Sequence, residues 1–194
     1  VVLEKSGEVG GVTALSQGQV WIAGNHLAKE LGIEDSLDSG FRYLHRLSMG
    51  YGEDTAILNF ATHARAALKW FEDNAGLRMQ VIRGCPDYYY GLTNDSMSEG
   101  RMIEAVPFPG ETLGEWQSKT RLSPQVPYGL TNQDISDAGG LSCVLQWDYE
   151  LMGKRITNDE RCAGSGLAAY FVKAVLDRSI PLEIGMDVKE LIGD

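Results

Sequence analysis

The chain has 194 residues, 43% of them hydrophobic and 23% charged, with 27 acidic against 17 basic side chains and a formal net charge of −10. That balance fits one folded domain with a real core rather than a disordered chain. It argues against nucleic acid as a partner, since phosphate backbones require a basic face.

No apolar run approaches the ~20 residues of a membrane span, and no secretory signal is read at the start. Cys85, Cys143 and Cys162 are widely spaced and form no C-x-x-C pair. Free thiols in a cytoplasmic protein are therefore expected, with neither a zinc site nor a disulfide framework.

In chain order, Val1-Val2-Leu3 is a short apolar run of the kind buried on both faces of a parallel sheet, and it ends in Glu4. An acidic residue closing a strand suits the ribose hydroxyls of a dinucleotide. Lys5 to Gly11 reads as a turn in which Gly10 and Gly11 allow a sharp bend or close approach to a ligand. A surface turn is the bland alternative for this stretch.

Ser36 to Tyr51 reads as a helix capped by Ser36 and ended by Gly50, with Leu37, Phe41, Leu44 and Leu47 at helical spacing. Asp54 to Ala75 is the clearest helix. Ile57, Phe60, Ala61, Ala64, Leu68 and Phe71 make its apolar face, and Gly76 follows at C′. His45 and His63 belong with these helices as structural residues, and His26 as a helix-start residue.

Arg78 to Arg83 reads as a strand and Gly84 to Asp87 as a turn, followed by Tyr88, Tyr89 and Tyr90. In an extended segment three successive phenols cannot face one way, so one or two should meet a pocket; the alternative is packing. Residues 91 to 137 are rich in Gly, Pro, Ser, Thr and Asn, and irregular stretches of that length are usually functional. Arg101 within it is either an anion contact or a surface charge. Ile135 to Ile156 is mixed, with helical character. Ser165 caps a helix to about Ser179, with Leu167, Phe171, Ala174, Val175 and Leu176 inward, and Pro181–Ile184 and Asp187–Ile192 read as two short strands.

Leu3-Glu4-Lys5, Gly10 to Gly18 (GGVTALSQG), Val20-Trp21-Ile22 and Asn25-His26 together resemble the fumarate reductase/3-ketosteroid Δ1-dehydrogenase superfamily of FAD-dependent oxidoreductases. The steroid-dehydrogenase branch is resembled further on. The residues there are Pro86-Asp87-Tyr88-Tyr89, Gly100 to Glu104 with Pro107-Phe108, Gly166-Leu167-Ala168, and Val188 with Leu191-Ile192. By that resemblance Gly100 to Pro109 is a hairpin, although the stretch GRMIEAVPFPG departs from the family pattern by one proline and one aspartate.

The resemblance implies an α/β fold: a partial Rossmann-like FAD-binding domain with a largely helical and irregular insertion. Residues 1–25 and 164–194 would supply the sheet and cofactor segments, and 26–163 the insertion. It implies FAD as cofactor, held by Glu4, Lys5, Gly10, Gly11, Thr13, Ala14, Ser16, Gly18 and the backbone of Val188. Tyr88, with Tyr89 next, would line the active site and support a tyrosine from elsewhere in the protein. The implied reaction is hydride transfer from a carbon–carbon bond beside the carbonyl of an apolar ketone, or to an enoate. The rest of a longer parent chain, including a glycine-rich loop and a cap domain, is the implied partner. The rival readings are a dicarboxylate reductase and a non-catalytic scaffold.

Overall fold

The computed structural model describes residues 1–124 and 129–192. The strands are β1 (Val2–Glu4), β2 (Gln19–Trp21), β3 (Met79–Val81), β4 (Met102–Ala105), β5 (Phe108–Pro109), β6 (Glu160–Arg161) and β7 (Leu182–Ile184). The helices are α1 (Gly11–Leu15), α2 (His26–Glu30), α3 (Leu37–Ser48), α4 (Asp54–Ala75), α5 (Asn132–Asp137), α6 (Tyr149–Thr157) and α7 (Ala163–Asp177). The chain divides into two compact units. One is Val1–Gly18, Pro107–Thr131 and Tyr149–Asp194; the other is Gln19–Val106 and Asn132–Asp148.

In the first unit β1 pairs in parallel with β7, Val2 opposite Leu182 and Glu4 opposite Ile184. The ladder continues past the strands, since Gly185 N–H donates to Ser6 O and Met186 N–H to Glu4 O, both at 2.9 Å. The centre of this unit is α7, whose residues 163–170 are all buried. Small residues there let α1 lie almost in backbone contact with it. Gly164 N–H donates to Ser16 O at 3.1 Å, and Ser165 Oγ donates to Ala14 O at 3.1 Å. β5 and β6 form a two-residue antiparallel pair, and the Phe108 ring meets Tyr170 edge-on at 4.8 Å.

In the second unit the sheet order is β2-β4-β3, all antiparallel. The expected caps form where the signals were local. Ser36 Oγ accepts from Ser39 N–H at 3.1 Å to start α3, and Gly76, at φ 67°, ends α4. Asn25 does the same for α2, its Oδ1 accepting from Ala28 N–H at 2.9 Å. Trp21 stacks on Tyr43 at 5.5 Å, and Ile22, Ile82, Met102 and Ile103 complete the core.

Several expectations are corrected. The turn around Gly11 is the short helix α1, too brief to show a hydrophobic period. The cap of α3 at its C-terminus is Met49, at φ 50°, rather than Gly50. Ser165 does not cap α7, which starts after Cys162; its hydroxyl is instead buried against Ala14. Phe171 faces outward, at 37% exposure, and Phe60 on α4 is also exposed. The stretch 100–109 is no hairpin, because β4 pairs with β2 and β3 while β5 pairs with β6. Asp187 to Ile192 is not a strand: it finds no ladder partner among the described residues, and Leu191 stands 91% exposed.

Candidate functional site

The expected cofactor residues and the expected tyrosines fall in different units, so each set is built separately. Glu4 ends β1 with its carboxylate accepting from Ser6 N–H at 2.7 Å. That backbone donor, helped by the Ser6 hydroxyl and by Arg121, holds the carboxyl below its ordinary value. Glu4 is thus ionised at neutral pH, and a carboxylate has acceptor sites beyond the one Ser6 uses.

Beside it a groove of about 330 Å³ is lined by Val2, Glu4, Gly10, Thr13, Ala168 and Phe171 among others. Gly10 has φ 116°, a conformation that favours glycine. Thr13 is exposed and Gly11 half-buried. An anionic acceptor at the C-terminal end of a parallel strand, flanked by glycines and a small hydroxyl, fits the ribose and adjoining portion of a dinucleotide.

Not every expected residue presents itself alike. Ala14 is fully buried, its N–H donating to Gly10 O at 3.1 Å. Ser16 Oγ donates to Thr13 O at 2.8 Å and accepts from Gly18 N–H at 3.0 Å. Gly18, at φ 67°, lies so close to the Ala163–Gly164 peptide that a Cβ would come within 2.5 Å of it. These three shape the α1–α7 seam. Lys5 and Val188 are exposed.

In the second unit, Tyr88, Tyr89 and Tyr90 lie on a turn rather than an extended strand, and all three are exposed, Tyr88 at 76%. Among the described residues the Tyr88 hydroxyl donates to Gln19 Oε1, and Tyr89 N–H donates to the Tyr43 hydroxyl at 3.3 Å. Burial, then the neighbouring Cys85 thiol, push the Tyr88 phenol above its ordinary value. It keeps its proton at neutral pH.

The turn is anchored by Asp87, just before it. Asp87 Oδ1 accepts from Trp21 Nε1 at 2.7 Å, and Oδ2 accepts from Met97 N–H at 2.8 Å and Arg101 Nη1 at 2.9 Å. Arg101 is neither a surface charge nor a free anion contact. It is 1% exposed, gives two hydrogen bonds to Asp35 at 2.9 and 2.7 Å, and reaches Ser39 Oγ and Asp95 O. Its guanidinium also lies 5.3 Å from the Trp21 ring centre. Sequence reasoning missed this knot because its three charges are far apart along the chain.

Burial pushes the Asp35 carboxyl up, but Arg101 and the Gly24 and Ser36 N–H groups outweigh it and leave the group below its ordinary 3.8. A depressed carboxyl stabilises the fold above the unfolded value, and that contribution is lost as pH falls through the folded one. Stability should therefore fall as pH drops below 3.8. Urea midpoints measured across that range should decline less steeply in Asp35→Asn, whose starting stability is lower; an unchanged slope would refute the assignment.

His26 Nε2 contacts Glu72 at 2.8 Å. Among the described residues no cluster of His, Cys, Asp and Glu could hold a metal ion, and no helix is long and apolar enough to cross a membrane.

The family model described as FAD binding domain matches residues 1–194. A 4-oxocyclohexanecarboxylate 2-dehydrogenase of Sinomonas cyclohexanicum is 31% identical over 76% of the chain and 25% of that protein. A 3-oxosteroid 1-dehydrogenase of Mycolicibacterium smegmatis is 32% identical over 77% of the chain and 24% of that protein. The crystal structure of a 3-ketosteroid delta1-dehydrogenase from Sterolibacterium denitrificans, in complex with 1,4-androstadiene-3,17-dione, superposes with a TM-score of 0.79. Its identity is 25%, over 95% of this chain and 35% of that one. The chain thus spans about a quarter of the length of the curated relatives.

Proposed function

The chain belongs to the FAD binding domain family, and from that premise we propose that it is the cofactor-binding part of a dehydrogenase that introduces a carbon–carbon double bond beside the carbonyl of a cyclic, apolar ketone. The observation that carries the cofactor half is the ionised Glu4 carboxylate at the end of parallel β1, beside the groove that reaches Gly10 and Thr13. The substrate half is supported by the two related dehydrogenases, both of which are named for cyclic ketones.

In this reading Glu4 accepts from the ribose hydroxyls, a charge-assisted bond stronger than a neutral one. Lys5, Gly10, Gly11 and Thr13 form the adjoining wall, Ala14, Ser16 and Gly18 hold that wall against α7 from behind, and Val188 reads adenine through its backbone. FAD, when bound, supplies the hydride acceptor. Tyr88, with Tyr89 beside it, serves the substrate side, where the Asp87 anchor fixes the turn. Residues 1–25 and 164–194 form the sheet and cofactor segments, residues 26–163 the insertion, and the remainder of a longer protein completes the site.

Two substitutions test the two halves. Glu4→Ala should weaken FAD binding roughly 10- to 100-fold, the loss expected for charge-assisted bonds, while the circular dichroism spectrum stays unchanged. Retention of FAD at wild-type affinity would sink the ribose assignment. Tyr88→Phe should lower the turnover number by roughly tenfold or more with flavin content unaltered, and an unchanged turnover number would return Tyr88 to packing. The reaction class itself is read from the flavin spectrum. Anaerobic bleaching by a 3-ketosteroid supports the dehydrogenase, whereas reoxidation of the reduced flavin by fumarate alone would replace it with a dicarboxylate reductase. A protein that purifies without flavin and binds none would be a scaffold.

A further inference from the structure

Glu104 is fully buried in the middle of the β2-β4-β3 sheet. The register sets Gln19 opposite it on one side and Gln80 on the other. Unlike Asp35 and Asp87, it has no basic partner among the described residues. Its four hydrogen bonds, from three residues, all come from amide donors. Oε2 accepts from the backbone N–H of Asn132 at 2.6 Å and from Asn132 Nδ2 at 2.8 Å. Oε1 accepts from Gln133 N–H at 2.9 Å and from Gln80 Nε2 at 3.1 Å.

A backbone N–H can only donate, so the two of them hold both carboxylate oxygens as acceptors. That direction propagates. Asn132 turns its amide nitrogen to Glu104, and its Oδ1 is left to accept from Gln19 Nε2 at 3.0 Å. Gln19 then presents Oε1, which accepts from the Tyr88 hydroxyl. A four-residue chain, Tyr88 to Gln19 to Asn132 to Glu104, thus runs from an exposed phenol to a buried carboxylate with every donor pointing inward.

Capping α5 would account for the two backbone contacts of Glu104. It would not account for the side-chain amides that carry the same polarity out to Tyr88. We propose that Glu104 is a positioning residue for Tyr88: acting through Asn132 and Gln19, it commits the Tyr88 proton inward and leaves the phenol oxygen facing outward as a hydrogen-bond acceptor. This rests on the reading that Tyr88 serves the substrate side. There, Tyr88 receives a hydrogen bond from an O–H group in the site and does not act as a proton donor to the substrate.

The test is the titration of Tyr88, followed by NMR in protein labelled with ¹³C at tyrosine Cζ. The Tyr88 signal is identified by its loss in Tyr88→Phe. A bond donated by the neutral phenol favours the protonated form, so removing it should lower the titration midpoint. Glu104→Gln lets the amide chain reverse, and Gln19→Met removes the acceptor without changing much bulk. Both should move the Tyr88 midpoint below the wild-type one and leave the other tyrosines in place. If Glu104→Gln fails to fold, Gln19→Met decides alone, since Gln19 is half-buried and caps no helix. A Tyr88 midpoint that Gln19→Met leaves unmoved, or that a folded Glu104→Gln leaves unmoved, overturns the proposal. The titration needs no turnover, so an unchanged turnover number in Tyr88→Phe together with a moved midpoint in Gln19→Met would refute the substrate role and keep the positioning chain. Reduced turnover with an unmoved midpoint would do the reverse.

Discussion

An Arg101→Met variant is expected to lose about 3–5 kcal/mol of stability, the cost of removing one partner from a buried ion cluster. Both carboxylates that Arg101 serves are themselves buried, with side-chain exposures of 3% for Asp35 and 0% for Asp87. Without the guanidinium they would keep only their N–H donors: Gly24 and Ser36 for Asp35, Trp21 and Met97 for Asp87. Methionine matches the aliphatic stem and part of the volume, so the loss reports charge rather than a cavity. Urea unfolding followed by tryptophan fluorescence measures it, because Trp21 touches both Arg101 and Asp87. Adding Asp35→Asn and Asp87→Asn to Arg101→Met should recover part of the loss, as a neutral cluster costs less to bury than unpaired charges. A loss under about 1 kcal/mol, the range of exposed pairs, would show that the cluster is solvated.

Gly164→Ala is expected to destabilise the first unit by about 1–3 kcal/mol or more. A Cβ on Gly164 would fall 2.0 Å from Thr13 O and 2.5 Å from Ser16 O. Both are backbone atoms, so no rotamer change relieves the clash and α1 must move away from α7. The Gly164–Ser16 and Ser165–Ala14 bonds across that seam would go with it. Gly153→Ala provides a contrast in the same unit. Nothing lies within 4 Å of its added Cβ, and it sits exposed in α6, where alanine should raise stability by about 0.8–1 kcal/mol. Thermal unfolding should thus shift in opposite directions for the two variants. A Gly164→Ala protein as stable as wild type would mean the seam is looser than the distances state.

What could be read from sequence was what neighbouring residues decide. Ser36 and Gly76 announce their helices because caps act within one turn. Val1-Val2-Leu3 and Pro181 to Ile184 read as strands and fall at β1 and β7, although the burial expected of the first on both faces is not found, Val2 being 40% and Leu3 46% exposed. The FAD-binding α/β character followed from ordered motifs along the chain. What escaped was set by residues far apart. Nothing near Arg101 in sequence reveals Asp35 and Asp87, and Glu104 sits in an apolar run, Met102-Ile103-Glu104-Ala105, that gives no hint of Gln19 or Asn132. The start of α7 escaped for another reason: Cys162 caps it without a side-chain capping bond, whereas Ser165, the residue that looks like a cap, is spent on Ala14. The tyrosine cluster was found by composition, but its turn conformation and its exposure were not.

The pairing of β1 with β7 also governs how the protein can be made. Val2 leaves the ribosome long before Leu182, its partner in the sheet, and α1 must likewise wait for Gly164. At elongation rates of about 5–20 residues per second, the segment around Val2 is without its partners for roughly 10–35 seconds. The second unit needs only Asn132 to Asp148 to complete itself, so it can close while the first is still open. Synthesis therefore leaves the Val-Val-Leu edge unpaired while the second unit can already be complete, and an unpaired strand edge is where a stalled chain is prone to aggregate.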